Sequence, residues 1–187
     1  MSEPRPPLPA KLIMGFLFRD FQLQCQVLER LTLEYGPMDF LTEPELFTYT
    51  QYYEREMGPG IHRQTGSFLH LVPVEALPAI KRFTNALEKE SAPEGKRGIN
   101  VDPGLLSEER LILATGKNYT HRVHLQNGVY ADLTLIYQGG AYQPLPWTYP
   151  DYQNPALRHF LGILRMKLAY QRSGRLPRKY FPKGETS

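Results

Sequence analysis

The chain has 187 residues, of which 41% are hydrophobic and 22% are charged, with a formal net charge of +3 at pH 7. This is the size and composition of one globular domain with a buried core. No apolar run approaches the ~20 residues of a membrane-spanning helix, and the first ten residues lack the apolar segment of a secretory signal. The single cysteine, Cys25, excludes an internal disulfide bond. We therefore expect a cytoplasmic protein without a membrane partner.

The first half of the chain alternates strand and helix patterns. Four prolines among residues 1–10 predict an extended, poorly ordered lead. The stretch 58–67, GPGIHRQTGS, is rich in glycine and polar residues and predicts an exposed loop. The predicted elements are a strand over 11–18, a helix that Asp20 caps and Gly36 ends, one or two strands within 38–53, a strand over 67–72, a helix over 74–90 and a strand closed by a turn at Asp102-Pro103-Gly104. This order predicts a single α+β domain over 11–174 with a ferredoxin-like split βαβ core.

A β-hairpin is the clearest local signal in the second half. Asn127-Gly128 is flanked by two strand-like segments, and such a two-residue turn requires positive φ at both positions. If Gln126 pairs with Val129, strict alternation puts Val123 opposite Asp132 and His121 opposite Thr134. One face of the second strand is then apolar and suited to packing on helices: Val129, Ala131, Leu133 and Leu135. These hairpin strands, followed by a C-terminal helix, extend the predicted core.

The opposite face of the hairpin is polar and predicts a candidate catalytic pair. His121 and Asp132 become diagonal neighbours there, together with Lys117 and Tyr130. A histidine beside a carboxylate and near a lysine is typical of a general base or a phosphate clamp. An ordinary ion pair on a solvated sheet face is the alternative, and it is the commoner arrangement.

Several other polar and aromatic residues are candidate ligand contacts. Lys117 follows Gly116, where a backbone can approach a ligand closely, and its ammonium group suits a phosphate or carboxylate. The aromatic residues within 147–152 suit stacking on a base or sugar, or equally a cover over the domain's own core. Asp102 alternatively bonds its own backbone and fixes the turn. The full candidate set is Arg97, Asn100, Asp102, Lys117, Tyr130, Trp147, Tyr149 and Asp151.

Two familiar site classes are excluded by spacing. Neither the glycine-rich stretch 58–67 nor the Gly116-Lys117 pair fits the GxxxxGK[ST] phosphate loop. The isolated His62 and His70 do not have metal-ligand spacing, so no metal site is predicted. The sequence names no cofactor.

The C-terminal part of the chain is basic. Asn154 and Pro155 predict the start of a helix that Gly174 ends, and residues 175–187 form a basic tail. From Gln153 onward there are eight Lys or Arg and one acid, whereas the preceding residues have fourteen and eighteen, so the formal charges are +7 and −4. Such a distribution is typical of contact with a polyanion and equally of a solubilising tail. The helix also carries Arg158, Arg165 and Arg172, spaced by seven.

Five segments together resemble a bacterial family described as a domain of unknown function, DUF4416. They are 52–58 (YYEREMG), 97–104 (RGINVDPG), 113–122 (LATGKNYTHR), 128–136 (GVYADLTLI) and 147–152 (WTYPDY). The likeness covers nearly the whole chain after the lead. Some members of that family carry the automatic label of a GTP-binding protein, but the phosphate loop and the Asn-Lys-x-Asp guanine motif are both absent here.

Three functions follow as hypotheses. The first is a binding protein, or an enzyme of unknown class, that holds a phosphate-bearing ligand such as a nucleotide near Lys117, His121 and Asp132, with Arg97 close by. The second is an RNA-binding module that uses the basic C-terminal helix and tail with Tyr149 and Tyr152. The third is a protein-interaction domain without catalysis.

Overall fold

A computed structural model of the protein describes residues 3–92 and 95–175, which form one antiparallel sheet with helices on both faces. The predicted α+β class is confirmed. The strands are β1 (Ala10–Phe18), β2 (Met38–Leu41), β3 (Glu45–Leu46), β4 (His62–Val72), β5 (Ile99–Leu106), β6 (Arg110–Thr115), β7 (Arg122–Gln126), β8 (Val129–Gln138) and β9 (Ala141–Pro144). The helices are α1 (Phe21–Tyr35), α2 (Glu54–Met57), α3 (Leu77–Glu90) and α4 (Pro155–Ser173), with 3₁₀ turns at Val74–Ala76 and Pro150–Gln153.

The sheet has the strand order β2-β4-β1-β5-β6-β8-β7, while β3 pairs with β4 and β9 pairs with β8. Helix α1 connects β1 to β2, and β4 lies between these two strands. The unit is therefore split by one strand, and β5 returns to the other side of β1. The name ferredoxin-like for this core stays a prediction. Strands β6 to β9 extend the sheet beyond β5.

The core has two main layers because side chains alternate across β1. Leu12, Met14 and Phe16 pack with the apolar stripes of α1 and α3 on one face. Ile13 belongs to the other layer, which α4 covers with Leu157, Leu161 and Leu164. A smaller cluster beneath the 47–61 segment contains Leu17, Phe47, Met57 and Ile61.

The predicted helix caps are present. The Asp20 carboxylate accepts hydrogen bonds from the backbone N–H groups of residues 22 and 23, and the Asn154 side chain accepts one from residue 156. Gly174 closes α4 in the left-handed conformation, with φ of 65°. Within the 147–152 segment, Pro150 begins a 3₁₀ turn that ends at Gln153.

Two predicted loops are wrong. The stretch predicted as an exposed loop over 58–67 is a strand from His62 onward, and Arg63, Gln64 and Thr65 are buried in it. Strand β5 also runs straight through Asp102-Pro103-Gly104 and does not turn there. Proline is tolerated because this half of β5 has no hydrogen-bonded partner on its outer edge, where β6 pairs only with Gly104 to Leu106.

The predicted hairpin is present, but its register is wrong beyond the first pair. Asn127 and Gly128 have φ of 52° and 73°, and Gln126 pairs with Val129 as expected. An irregularity between His124 and Gln126 then shifts the pairing by one residue, so that Arg122 lies opposite Asp132.

A second irregularity, in the pairing of β6 with β8, changes the predicted apolar face. Leu133 and Leu135 pair with consecutive residues of β6, so Thr134 is the extra residue of β8. Leu135 consequently joins the α4 layer, whereas Val129 belongs to the α1 and α3 layer.

The chain ends of the predicted domain lie close to the observed elements. Strand β1 begins at Ala10, and residues 3–9 have no helix or strand. Most of the predicted basic tail, residues 176–187, lies outside the described residues. Within the described part of the chain, no helix is long and apolar enough to cross a membrane.

Candidate functional site

A cleft opens where β5 and β6 stop pairing. Gly104 to Leu106 pair with Leu111 to Leu113, but the preceding residues of β5 and the following residues of β6 separate. The resulting cavity has a volume of about 720 Å³ and is also lined by the 47–53 and 149–152 segments. Pockets of ~300–1,000 Å³ are typical small-molecule sites. The cleft falls within this range and is lined by many charged and polar side chains, so it is a candidate functional site.

Two charged side chains from α3 replace strand pairing at the free edge of β5. The Glu88 carboxylate accepts a hydrogen bond from the Val101 N–H at 2.9 Å, and Lys81 Nζ donates one to the Val101 carbonyl at 2.9 Å. Both side chains are buried. A buried backbone N–H or C=O without a partner is costly, so these two bonds make an open edge stable here.

Arg97 organises the rim of the cleft through carboxylates. Its Nε and Nη2 donate to the two oxygens of Glu56 at 2.8 and 2.7 Å, which is a bidentate pair. Its Nη1 donates to Glu88 Oε2 at 3.0 Å and to Asn100 Oδ1 at 2.8 Å. The hydrogen bonds from Arg97 lower the pKa of Glu56 below its ordinary value. Arg97 is thus a structural cation whose charge is already matched.

Asp102 lies in the cleft as the half-exposed end of the same network. Asn100 Nδ2 donates to Asp102 Oδ2 at 2.7 Å, and Lys81 Nζ lies 3.4 Å from Asp102 Oδ1. Its charge acts on the surrounding groups: burial raises the pKa of Tyr53, and the Asp102 carboxylate adds to that shift. Asp102 therefore presents a carboxylate to the cleft instead of fixing a turn.

Lys117 lies at the mouth of the cleft. Its Nζ donates to Tyr52 Oη at 3.1 Å and lies 4.9 Å from the centre of that ring. This hydrogen bond lowers the pKa of Tyr52. Across residues 3–92 and 95–175, no carboxylate lies within 4.0 Å of Lys117 Nζ. Its charge is accordingly available to a ligand.

The predicted pair of His121 and Asp132 is close, but it faces the cleft only through Asp132. His121 Nε2 lies 3.2 Å from Asp132 Oδ2, and Arg122 Nε donates to the same oxygen at 2.8 Å. The His121 ring stacks on Trp147 with the ring centres 4.9 Å apart. Arg122 Nη2 also donates to Tyr149 Oη at 2.6 Å. Arg122 Nη1 donates to the Lys117 carbonyl at 3.0 Å, so Arg122, held by Asp132, links the loop that carries Lys117 to the segment that carries Tyr149. The catalytic role of His121 and Asp132 stays a prediction.

Arg63 and Asp151 form a buried pair at the floor of the cleft. Arg63 Nε donates to Asp151 Oδ2 at 2.8 Å, and Nη1 donates to Thr65 Oγ1 at 3.2 Å. The guanidinium carbon lies 4.9 Å from the centre of the Tyr152 ring. Burial raises the pKa of Asp151, although the Arg63 charge opposes this shift.

The structure brings most of the predicted site residues together. Seven of them line the cleft: Arg97, Asn100, Asp102, Lys117, Asp132, Tyr149 and Asp151. Two predicted ligand contacts, Tyr130 and Trp147, do not. Tyr130 contacts the His124 ring on the hairpin, and Trp147 donates its indole N–H to the Leu133 carbonyl. Tyr130 and Asp132 are two residues apart on β8, so they share a sheet face, but the Tyr130 ring lies against His124 nearer the hairpin turn.

Several residues that line the cleft are not among the residues predicted from the sequence. Arg63 was assigned to a loop, although its alternation with Thr65 and Ser67 fits a strand with one polar face. Lys81 and Glu88 are seven residues apart on α3, which puts them on one helix face. That spacing is the signal from which they could have been found.

The arginines of α4, which the RNA-binding hypothesis would use, contact the protein itself. Arg158 donates to the Tyr142 carbonyl, and Arg165 lies 3.8 Å from the centre of the Tyr137 ring. Arg172 donates to the Pro9 carbonyl and to Glu108. These contacts reduce the positive charge that α4 offers to an RNA backbone.

The fold and the cleft define an α+β protein with one extended antiparallel sheet that opens into a polar, tyrosine-lined cavity. The chain belongs to the family described as a domain of unknown function, DUF4416, whose model matches residues 8–168. No curated protein and no solved structure matches the chain.

Proposed function

We propose that this protein binds a phosphate-bearing small molecule of nucleotide size in the cleft between β5 and β6. The single observation that carries the proposal is the convergence of seven polar residues from four separate segments on one cavity of about 720 Å³. A nucleotide fits a cavity of that volume. The protein acts as a binding protein or as an enzyme of a class that the cleft chemistry does not define.

The aromatic lining supports a ligand with a flat ring. Tyr49, Tyr52, Tyr53 and Tyr149 all line the cavity, and three of them are partly exposed around its mouth. A tyrosine ring offers a large apolar face and a polar edge, and base stacking on such a ring contributes ~1–3 kcal/mol. A purine or pyrimidine ring has the shape and polarity that this lining accepts.

The charge pattern supports a phosphate at the mouth. The cavity-lining cations Arg63, Lys81 and Arg97 each have a carboxylate partner, whereas Lys117 has a tyrosine hydroxyl within reach. A ligand phosphate can replace that hydroxyl as the acceptor of the ammonium group. The neighbouring Gly116 has no atom within 4 Å of its virtual Cβ position, so the backbone there has room for a ligand. A nucleotide-binding protein of the bacterial cytoplasm is consistent with this proposal.

The test is a thermal-shift screen of inorganic phosphate, ribose 5-phosphate and the common nucleoside mono- and triphosphates. A ligand at one hundred times its Kd adds about 2.7 kcal/mol of stability, which raises Tm by roughly 5–11 °C for a domain of this size. Lys117→Ala should leave the Tm of the free protein nearly unchanged, because the side chain is exposed. It should weaken binding of the best compound about tenfold, or ~1.4 kcal/mol.

Lys89→Ala is the matched control, because Lys89 is an exposed lysine of α3 outside the cleft. It should leave the ligand-induced shift intact. If Lys117→Ala retains the full shift as well, the cleft mouth does not bind the phosphate and the proposal fails.

A further inference from the structure

The floor of the cleft holds two buried polar atoms without partners. Among the described residues, Arg63 Nη2 and Tyr152 Oη have no hydrogen-bond partner. Both residues line the cavity, and their exposed fractions are only 5% and 4%. An unpaired buried polar group costs about 1–3 kcal/mol, so native proteins rarely retain one without a use. Two at one end of a ligand-sized cavity indicate a contact that a bound molecule completes.

The charge at the floor indicates which kind of group would complete it. The charge of Arg63 is already matched by Asp151 at 2.8 Å, so this pair adds no net charge. Burial raises the pKa of Asp151, and the nearby Asp102 carboxylate raises it further. A phosphate at the floor would therefore meet no unmatched positive charge, and the Asp151 carboxylate beside Arg63 would repel it. A neutral oxygen acceptor avoids that repulsion and still accepts from the free guanidinium N–H.

Gly15 supports a close fit around the Tyr152 hydroxyl. A Cβ atom at position 15 would lie 2.9 Å from Tyr152 Oη, closer than real Cβ contacts. The absence of a side chain there gives the hydroxyl its place beside β1. Burial also raises the pKa of Tyr152, so its hydroxyl stays protonated and can donate a hydrogen bond.

We infer that the Arg63 and Tyr152 floor binds a neutral carbonyl oxygen of the ligand, while the anionic end lies at Lys117. The inference rests on the proposed function and deepens it, because it gives the bound molecule a direction in the cleft. The ligand class is a nucleotide whose base carries a carbonyl group, as uracil and guanine do. The base enters first and the phosphate stays at the mouth.

The test compares Tyr152→Phe with the parent protein by ¹H–¹⁵N NMR titration. The probes are uridine, guanosine, their 5′-monophosphates and inorganic phosphate. Tyr152→Phe removes only the hydroxyl. We expect it to lower the affinity for a nucleoside and for its monophosphate by the same factor, about 3- to 10-fold. Inorganic phosphate should bind equally to both proteins. Tyr170→Phe, which removes a hydroxyl outside the cleft, should change nothing.

A ligand-free measurement separates binding from folding. Because Tyr152 Oη has no partner among the described residues, Tyr152→Phe should have the same Tm as the parent or a higher one. A loss of more than a few degrees would mean that the hydroxyl is bonded within the folded protein, which overturns the inference. The inference is also overturned if neither nucleoside binds the parent protein. It is overturned as well if the nucleoside that binds the parent has the same affinity for Tyr152→Phe, or if this variant lowers the affinity for inorganic phosphate.

Lys117→Ala distinguishes the failure of the proposed function from the failure of this inference. This variant should lower the affinity for the monophosphates and for inorganic phosphate, and it should leave the affinity for the nucleosides unchanged. If the monophosphates bind no more tightly than the nucleosides, and Lys117→Ala changes neither, the phosphate proposal fails. If Tyr152→Phe still lowers the affinity for a nucleoside in that case, the result supports a carbonyl-binding site at the Arg63 and Tyr152 floor.

Discussion

Glu88→Ala should destabilise the protein strongly, because this one carboxylate holds the free edge of β5. It accepts from the Val101 N–H at 2.9 Å and from Arg97 Nη1 at 3.0 Å, and it lies 3.8 Å from Lys81 Nζ. Its side chain is only 6% exposed. Removing one partner of a buried ion pair costs roughly 3–5 kcal/mol, because the remaining charge stays buried. At about 2–4 °C per kcal/mol for this size of domain, Tm should fall by about 6–20 °C.

Glu90→Ala is the matched control on the same helix. Glu90 pairs with Arg30 at 3.1 Å, but its side chain is 57% exposed, and such surface pairs contribute about 0–1 kcal/mol. Glu88→Gln should lie between the two, because its amide oxygen can still accept from the Val101 N–H while the charge is lost. Urea unfolding followed by circular dichroism measures all three variants. If the free energies of unfolding of Glu88→Ala and Glu90→Ala agree within about 1 kcal/mol, the Glu88 carboxylate does not stabilise the free edge of β5.

Two further predictions concern the sheet. Burial opposes the charge of Asp39, but hydrogen bonds from Lys11, Lys167 and Ser67 outweigh it and lower the Asp39 pKa below the ordinary 3.8. The parent should therefore be more stable than Asp39→Asn by its full margin at pH 7, and this difference should decrease as the pH falls below 3.8 through the folded pKa. Urea midpoints measure the difference, and a difference independent of pH would contradict the prediction. Gly104→Ala should cost about 1–3 kcal/mol, because its Cβ would lie 2.8 Å from the Ile112 carbonyl oxygen. The control is Gly162→Ala, at a helical position where a Cβ would have nothing within 4 Å, and it should stabilise the protein by ~0.5–1 kcal/mol. If chemical unfolding shows the same loss of stability for both variants, β5 and β6 do not approach closely at Gly104.

Helix caps and tight turns could be predicted from the sequence, because neighbouring residues determine them. The cap at Asp20, the turn at Asn127-Gly128 and the start of α4 at Asn154 each depend on a few adjacent residues. Strand β4 was missed at His62 because its buried side chains are polar, and their partners come from distant segments. Arg63, for example, is satisfied by Asp151, which is 88 residues away.

The candidate site could be predicted in composition but not in arrangement. The polar residues of 97–152 were recognised because they are unusual in strands, and most of them do line the cleft. The cleft itself arises from incomplete pairing of β5 with β6, which no local pattern encodes. The irregularity at Leu125 likewise moved Arg122 opposite Asp132, and a one-residue shift exchanges the faces of a strand. Arg97, predicted to bind a ligand, forms ion pairs with Glu56 and Glu88. These pairs could not be predicted from the sequence, because the three residues are close together only in the folded chain.

Binding of a nucleotide in the cleft can be tested by a crystal structure of the protein with the compound that gives the largest Tm shift in the phosphate and nucleotide screen. We expect electron density for the ring inside the cavity between β5 and β6, with a phosphate oxygen within hydrogen-bond distance of Lys117 Nζ. A ligand bound elsewhere on the protein, or one in the cleft with its phosphate against Arg63 and Asp151, would contradict it.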